Sequence, residues 1–272
     1  MRRCSLLLSA LLALPLLGGG DMQTPPDSEG SPSFLQPDYS WFDVNINYLD
    51  WSRGTERRTG GSKKDFYYLE FEGGMGWSWG DLYFFTDWEN AGKAFDVNDA
   101  PDDARWVIKP ILDLNIPGLE SGKWYSGFQI HIQDYFLYSD GFRVNNLVLG
   151  LAYKFQGEGY FLRPFIGAHY TDDNFTPAAW NGYMGGWSLN VDFQLLEQRF
   201  SLSNWHEFEF DRDRRYGSDG ADGRSWGING ALALWWHATK HLTAGVQYRY
   251  ADHKLGYSGY QNGLITTLKY NF

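Results

Sequence analysis

The sequence predicts an all-β fold, a transmembrane up-and-down antiparallel β-barrel of about 12 strands, and three observations predict it. Segments of about ten residues, with an apolar or aromatic side chain at every second position, recur along most of the chain. The connections between them alternate between long and short, as outer-membrane barrels alternate outside loops with periplasmic turns. The chain closes on an aromatic carboxylate, Phe272, at the end of such a segment. Composition agrees. With 18% aromatic and 21% charged residues among 272, the chain is too aromatic and too weakly charged to be disordered. A mean hydropathy of −0.45 is too polar for a bundle of membrane helices.

Residues 1–20 read as a signal peptide, because Arg2 and Arg3 precede an apolar run from Ser5 to Leu17 that ends in three glycines. That run is too short for a helical membrane span. Cys4 precedes it, whereas a lipid-modified cysteine would follow it, so a lipoprotein is not expected. An exported mature chain would then lack cysteine and would depend on its own core or on a membrane for stability. Residues 21–38, with Pro25, Pro26, Pro32 and Pro37, read as a Pro/Ser-rich leader, and residues 39–272 as the barrel. The formal charge of −10 makes nucleic acid an unexpected partner.

Nothing after the leader reads as helix. The alternating segments run, in order, from Tyr39 to Leu49, Asp65 to Gly74, Asp81 to Trp88, Arg105 to Asn115, Trp124 to Phe136 and Val144 to Phe155. They continue from Tyr160 to Tyr170, Gly182 to Leu195, Phe200 to Phe210, Arg224 to Trp236, Leu242 to Tyr250 and Gly263 to Phe272. Each is bounded by Gly, Asp, Asn or Pro, the residues that end strands in turns. Long polar connections are expected at 52–64, 89–104, 172–181, 211–223 and 252–259, and shorter ones at 75–80, 116–123, 156–159, 196–199 and 238–241. The connection 137–143 is short where a long one is due. An even strand count returns both termini to the periplasm, which places the chain in a Gram-negative type of outer membrane, surrounded by its lipid.

Successive strand side chains point to opposite faces, so the apolar parity of each segment belongs to lipid and the other parity to the lumen. Leu69, Phe71, Leu82, Phe84 and Trp88 are assigned to lipid. Tyr68, Glu70, Glu72, Asp81, Tyr83, Phe85 and Asp87 are assigned to the lumen and predicted as one wall of a solute path. Further inward candidates are Lys109, Asp113, Gln129, His131, Gln133, Lys154, Arg163, Phe165, His169, Asp192, Trp205, Glu207, Glu209, Gln247, Arg249 and Lys269. Of these, Lys109, Arg163 and Arg249 join the predicted solute-binding set. A soluble sandwich would have to bury the aromatic face between sheets, and the other face is too charged for a dry core. Ions in the interior must be paired, wetted or both. Rings interleaved with ions suit a narrow aqueous path on which a flat solute stacks weakly, since a channel must release what it binds. The alternative is a closed barrel filled by paired charges, acting in adhesion or surface recognition through its loops.

Catalysis is not expected. Ser201 and Ser203 share one face of their segment while His206 takes the other, so they do not form a hydrolase pair. No cofactor or metal is predicted: the six histidines are scattered, His237 and His241 flank a turn, and the acidic stretch 96–103 lacks the glycine and terminal glutamate of an EF-hand loop. Parity is weakest where Asp134, Asn204, His206, Gly227 and Gly230 interrupt the pattern, because a bulge there would exchange the faces.

Several of these residues recur in one family's order. Asp38-Tyr39-Ser40-Trp41, Tyr68-Leu69-Glu70-Phe71-Glu72, Asp81-Leu82-Tyr83 with Asp87, Trp180-Asn181-Gly182-Tyr183, Trp236-His237 and the closing Lys269-Tyr270-Asn271-Phe272 follow one another along the chain. In this it resembles the nucleoside-specific channel-forming proteins of the outer membrane, the Tsx family, and within them the outer-membrane protein K group. The resemblance implies a monomeric twelve-stranded barrel passing nucleosides by diffusion, with outer loops that phages sometimes use as a receptor. That family usually has Arg directly after the proline of its fourth strand; here Ile111 follows Pro110, and Lys109, of the same parity, would supply the cation one step away.

Overall fold

The computed structural model describes residues 34–93, 103–119, 121–139, 142–213 and 224–272. The predicted signal peptide, most of the leader and most of the acidic stretch 96–103 lie outside them. The described strands are β1 (Tyr39–Trp51), β2 (Phe66–Trp77), β3 (Gly80–Glu89), β4 (Arg105–Asn115), β5 (Phe128–Ser139), β6 (Phe142–Tyr153), β7 (Phe155–Gly157), β8 (Tyr160–Asp173), β9 (Ala179–Leu195), β10 (Gln198–Phe210), β11 (Gly227–His237), β12 (Leu242–Asp252) and β13 (Gln261–Asn271). Each pairs antiparallel with the next, except that β6 and β7 are two parts of one strand interrupted at Lys154, and both pair with β8. The last strand pairs with the first, from Asp43 opposite Asn271 to Trp51 opposite Gly263. The result is a closed antiparallel barrel of twelve strands with no free sheet edge to cover.

The faces follow the alternation. Ile46, Ile130, Leu149, Ile166, Leu232, Val246 and Leu268 are exposed on the outside, while Asn45, Asp113, Gln129, His131 and His169 are buried inside. This is the reverse of a soluble protein. One bulge interrupts β8 against β9: Ala168 faces Tyr183 but Tyr170 faces Trp180, so β9 carries one extra residue, at Gly182, whose φ of 70° suits glycine. The segments around Asp134, Asn204 and Gly230 keep unbroken registers, so their parity holds.

Four expectations are corrected. A six-residue helix, α1 (Arg53–Arg58), lies in the first long connection, where no helix was expected. Ser52 caps it by accepting from the Thr55 amide at 3.1 Å. The predicted strand at Trp124 starts only at Phe128, because Trp124–Gly127 forms a 3-10 turn whose Ser126 is held by the Lys123 carbonyl. The connection 116–127 is therefore longer than its periplasmic neighbours. Conversely, the long connection expected at 172–181 shrinks to 174–178 as β8 and β9 extend through it.

Inside, on the side of the long loops, Leu49, Trp51, Phe66, Tyr68 and Ile265 form an apolar cluster against which Leu255 packs. At the opposite end, Trp77 and Trp79 stack at 4.8 Å and donate their indole N–H groups to the Leu35 and Phe34 carbonyls, fastening the end of the leader beneath the barrel.

Candidate functional site: the lumen

Three side-chain networks line the interior. The first lies on β1–β3 and β13. Cross-strand registers put Asn45 beside Glu70, Glu70 beside Asp87, and Lys269 beside Asn45. Asn45 donates to Glu70 at 2.5 Å, Tyr83 donates its hydroxyl to Glu72 at 2.8 Å, and Lys269 lies between Glu72 and Asp43, 3.1 Å from the latter. Lys269 is also 4.9 Å from the centre of the Trp235 ring, within cation–π range. Among the described residues Lys269 is the cation paired directly with this group, at Asp43 and Glu72, while Glu70 and Asp87 have no ion pair, which leaves a wall rich in carboxyl oxygens. Asp43 Oδ1, Asn45 Oδ1 and Asp87 Oδ1 are buried and find no donor among the described residues.

The second network lies toward the short turns. Asp81 accepts from Lys154 at 2.9 Å, Arg163 at 3.2 Å, Gln129 at 3.0 Å and the Tyr39 hydroxyl at 2.8 Å. Arg163 also reaches Asp113 at 2.9 Å, and Asp113 meets His131 Nδ1 at 2.7 Å, with the imidazole stacked on Phe165. The third crosses the barrel higher up. Glu207 holds Lys109 and accepts from Gln133 at 2.9 Å; Lys254 bridges Glu207 at 3.4 Å and Glu209 at 2.8 Å; Arg212 pairs with Glu209 at 2.8 Å. Trp205 sits between Lys109, 5.5 Å from its ring, and Arg249, 4.8 Å from it. Arg249 also donates to the Gly230 carbonyl at 2.9 Å.

An aromatic strip runs beside the acceptor wall. Trp41 lies 6.1 Å from Tyr83, and Tyr83 lies 6.3 Å from Phe85. Trp41 keeps 42% of its surface exposed. Its ring has room because Gly74 is opposite: a Cβ there would stand 2.5 Å from Trp41 Nε1.

The ten predicted binding residues therefore separate by surroundings. Glu70, Glu72, Tyr83, Phe85 and Asp87 lie together on the first wall; Tyr68 is buried in the apolar cluster. Asp81 and Arg163 belong to the second network, and Lys109 and Arg249 flank Trp205. Residues the sequence reading left out are Asp43, Asn45, Trp41 and Trp235. The run Asp43-Val44-Asn45-Ile46-Asn47 carries the inward signal for two of them plainly. Trp41 was hidden, because an aromatic at an alternating position reads equally as lipid-facing. Asp192 has inward parity but is exposed at the rim, bonded to Asn190 at 2.8 Å.

The proposed separation of Ser201 from His206 holds in space. His206 faces lipid, stacked on Trp187 at 4.6 Å and bonded to the Tyr250 hydroxyl at 2.8 Å, while Ser201 is hydrogen-bonded to His237 on the inner face.

The sequence profile described as "Nucleoside-specific channel-forming protein, Tsx" matches residues 46–272. The chain belongs to the Tsx family. It is a nucleoside-specific channel of the Gram-negative outer membrane, and the family is one of channels, not of enzymes. Among solved structures, this Tsx-family chain is similar to a NanC porin (13% identity, TM-score 0.49, covering 84% of this chain and 98% of the porin). It is also similar to a KdgM porin in complex with disordered oligogalacturonate (9% identity, TM-score 0.44, 85% and 99%) and to outer membrane phospholipase A from Escherichia coli (7% identity, TM-score 0.38, 85% and 96%).

Proposed function

We propose that nucleosides pass this barrel along the wall of β1–β3 and β13, with the base stacking on Trp41, Tyr83 and Phe85 while ribose hydroxyls donate to Glu70, Glu72 and Asp87. One observation carries this reading: a strip of rings runs alongside a wall of carboxylates, of which Glu70 and Glu72 keep partial access to the lumen. A nucleoside offers the complement of both, a flat π-face and several O–H and N–H donors. Stacking on one ring contributes about 1 to 3 kcal/mol by alanine substitution, so two rings give affinities near the millimolar range once ordering is subtracted. Binding of that strength loads the path without trapping the solute.

Single-channel current in planar bilayers, with and without adenosine or thymidine, tests the assignment. Wild type should be blocked in steps. Tyr83→Ala and Glu70→Ala should each weaken the block about tenfold, one to two kcal/mol of lost contact, in barrels that still show heat-modifiable migration. Undiminished block in both variants would remove this wall from the path.

A further inference from the structure

Around the closed sheet, β4 and β10 stand five strand-to-strand steps apart one way and seven the other, nearly opposite each other. Lys109 from β4 and Glu207 from β10 nevertheless touch, and Gln133 of β5 donates to the same carboxylate at 2.9 Å. Lys254, from the connection after β12, closes on it from above at 3.4 Å. No solute fits between side chains in direct contact. On the shorter side of this strut the interior is sealed: Asp113, His131, Gln133, Val148, His169 and Met184 face inward and none is more than 2% exposed. Across the strut, Glu70, Glu72, Tyr83, Phe85 and Gln247 keep partial access.

We infer that Glu207 sets the bore of this channel, tying opposite walls together so that solute travels only along the β10–β13 and β1–β3 side. The inference rests on the channel reading and adds to it a residue that decides size and charge selection without itself stacking on solute. Glu207 is the shared anion of two ammonium groups. Without it, Lys109 would lose its paired anion and swing into the path, while Lys254 would keep only Glu209, 2.8 Å away, so the path would gain one unpaired positive charge.

Conductance, reversal potential in a salt gradient, and liposome swelling with neutral sugars of rising size test this without any nucleoside. In Glu207→Ala the conductance should rise about twofold, sugars excluded by wild type should enter, and the reversal potential should shift toward anions. Glu207→Gln, which keeps the volume, should show the anion shift with less widening. Lys109→Ala removes the other arm and should widen the bore too, so the inference stays testable if one variant fails to assemble. A folded Glu207→Ala or Lys109→Ala barrel that sieves and conducts as wild type overturns it. Nucleoside block is measured separately: its absence from wild type would remove the stacking wall and leave the strut standing.

Discussion

At Gly74 a hydrogen atom decides where an indole lies. Trp41 is directly opposite in the register with β2, and any side chain at position 74 would occupy the space of its ring. Gly74→Val should therefore push Trp41 away from Tyr83 and weaken nucleoside block several-fold, about as one lost stacking contact does, while the mutant still folds into liposomes. A Gly74→Val channel with wild-type block would mean that Trp41 is no part of the path. Such positions are hard to read in advance. The alternation of β1 shows which side chains share a face, but not which glycine on the neighbouring strand they lie over, because register is fixed by pairing.

The connection carrying α1 shows what a single element adds. Its Ser52 and Thr55 bond to Asn262, 2.8 Å from the Ser52 hydroxyl to the Asn262 side chain, which fastens this loop to the start of β13. Lys63, outside the membrane-spanning strands, reaches the Leu255 carbonyl at 2.6 Å and stands 5.7 Å from the Trp51 ring centre. Burial pushes its ammonium down from the usual 10.5 to about 8, Arg105 and Arg249 add to this, and Glu89 opposes it. Lys63 in a detached loop would titrate near 10.5, so between about 8 and 10.5 the detached form binds the proton that the docked form has lost. Docking therefore tightens as pH rises through that window, and the charged docked lysine is unfavourable throughout below it. Tryptic cleavage after Arg57 or Arg58, measured against a free peptide of the same sequence, should slow as the pH rises from about 8 toward 10.5, the window between the docked and detached lysine. Lys63→Met should abolish the trend. A wild-type rate ratio that is flat with pH would refute the docked-lysine account. This element escaped the sequence reading because a helix of six residues offers too few turns for a 3.6-residue period to emerge.

Across the whole molecule, polarity is inverted relative to a water-soluble fold, and one exposed position tests it. Leu232 is 44% exposed in the middle of the outer face of β11. In a soluble protein Leu232→Arg would be nearly neutral, but in hydrocarbon it should destabilise the barrel by about 2 to 4 kcal/mol. Urea titration of barrels folded in liposomes measures this, and an unchanged midpoint would remove Leu232 from the lipid face.

The sequence by itself determined the number of strands, the face that their charged and aliphatic side chains take and the end of the barrel that carries the long loops. Those properties follow from a period of two along a single strand, and every residue needed is a near neighbour in the chain. Only the tertiary structure decided which inward ions meet. Lys109 and Glu207 are 98 residues apart, and Asp81 and Arg163 are 82 apart, brought together by closure of the sheet. Ten inward residues looked equivalent in the sequence because parity fixes a direction and not a partner. Closure makes some of them struts and leaves others lining the path.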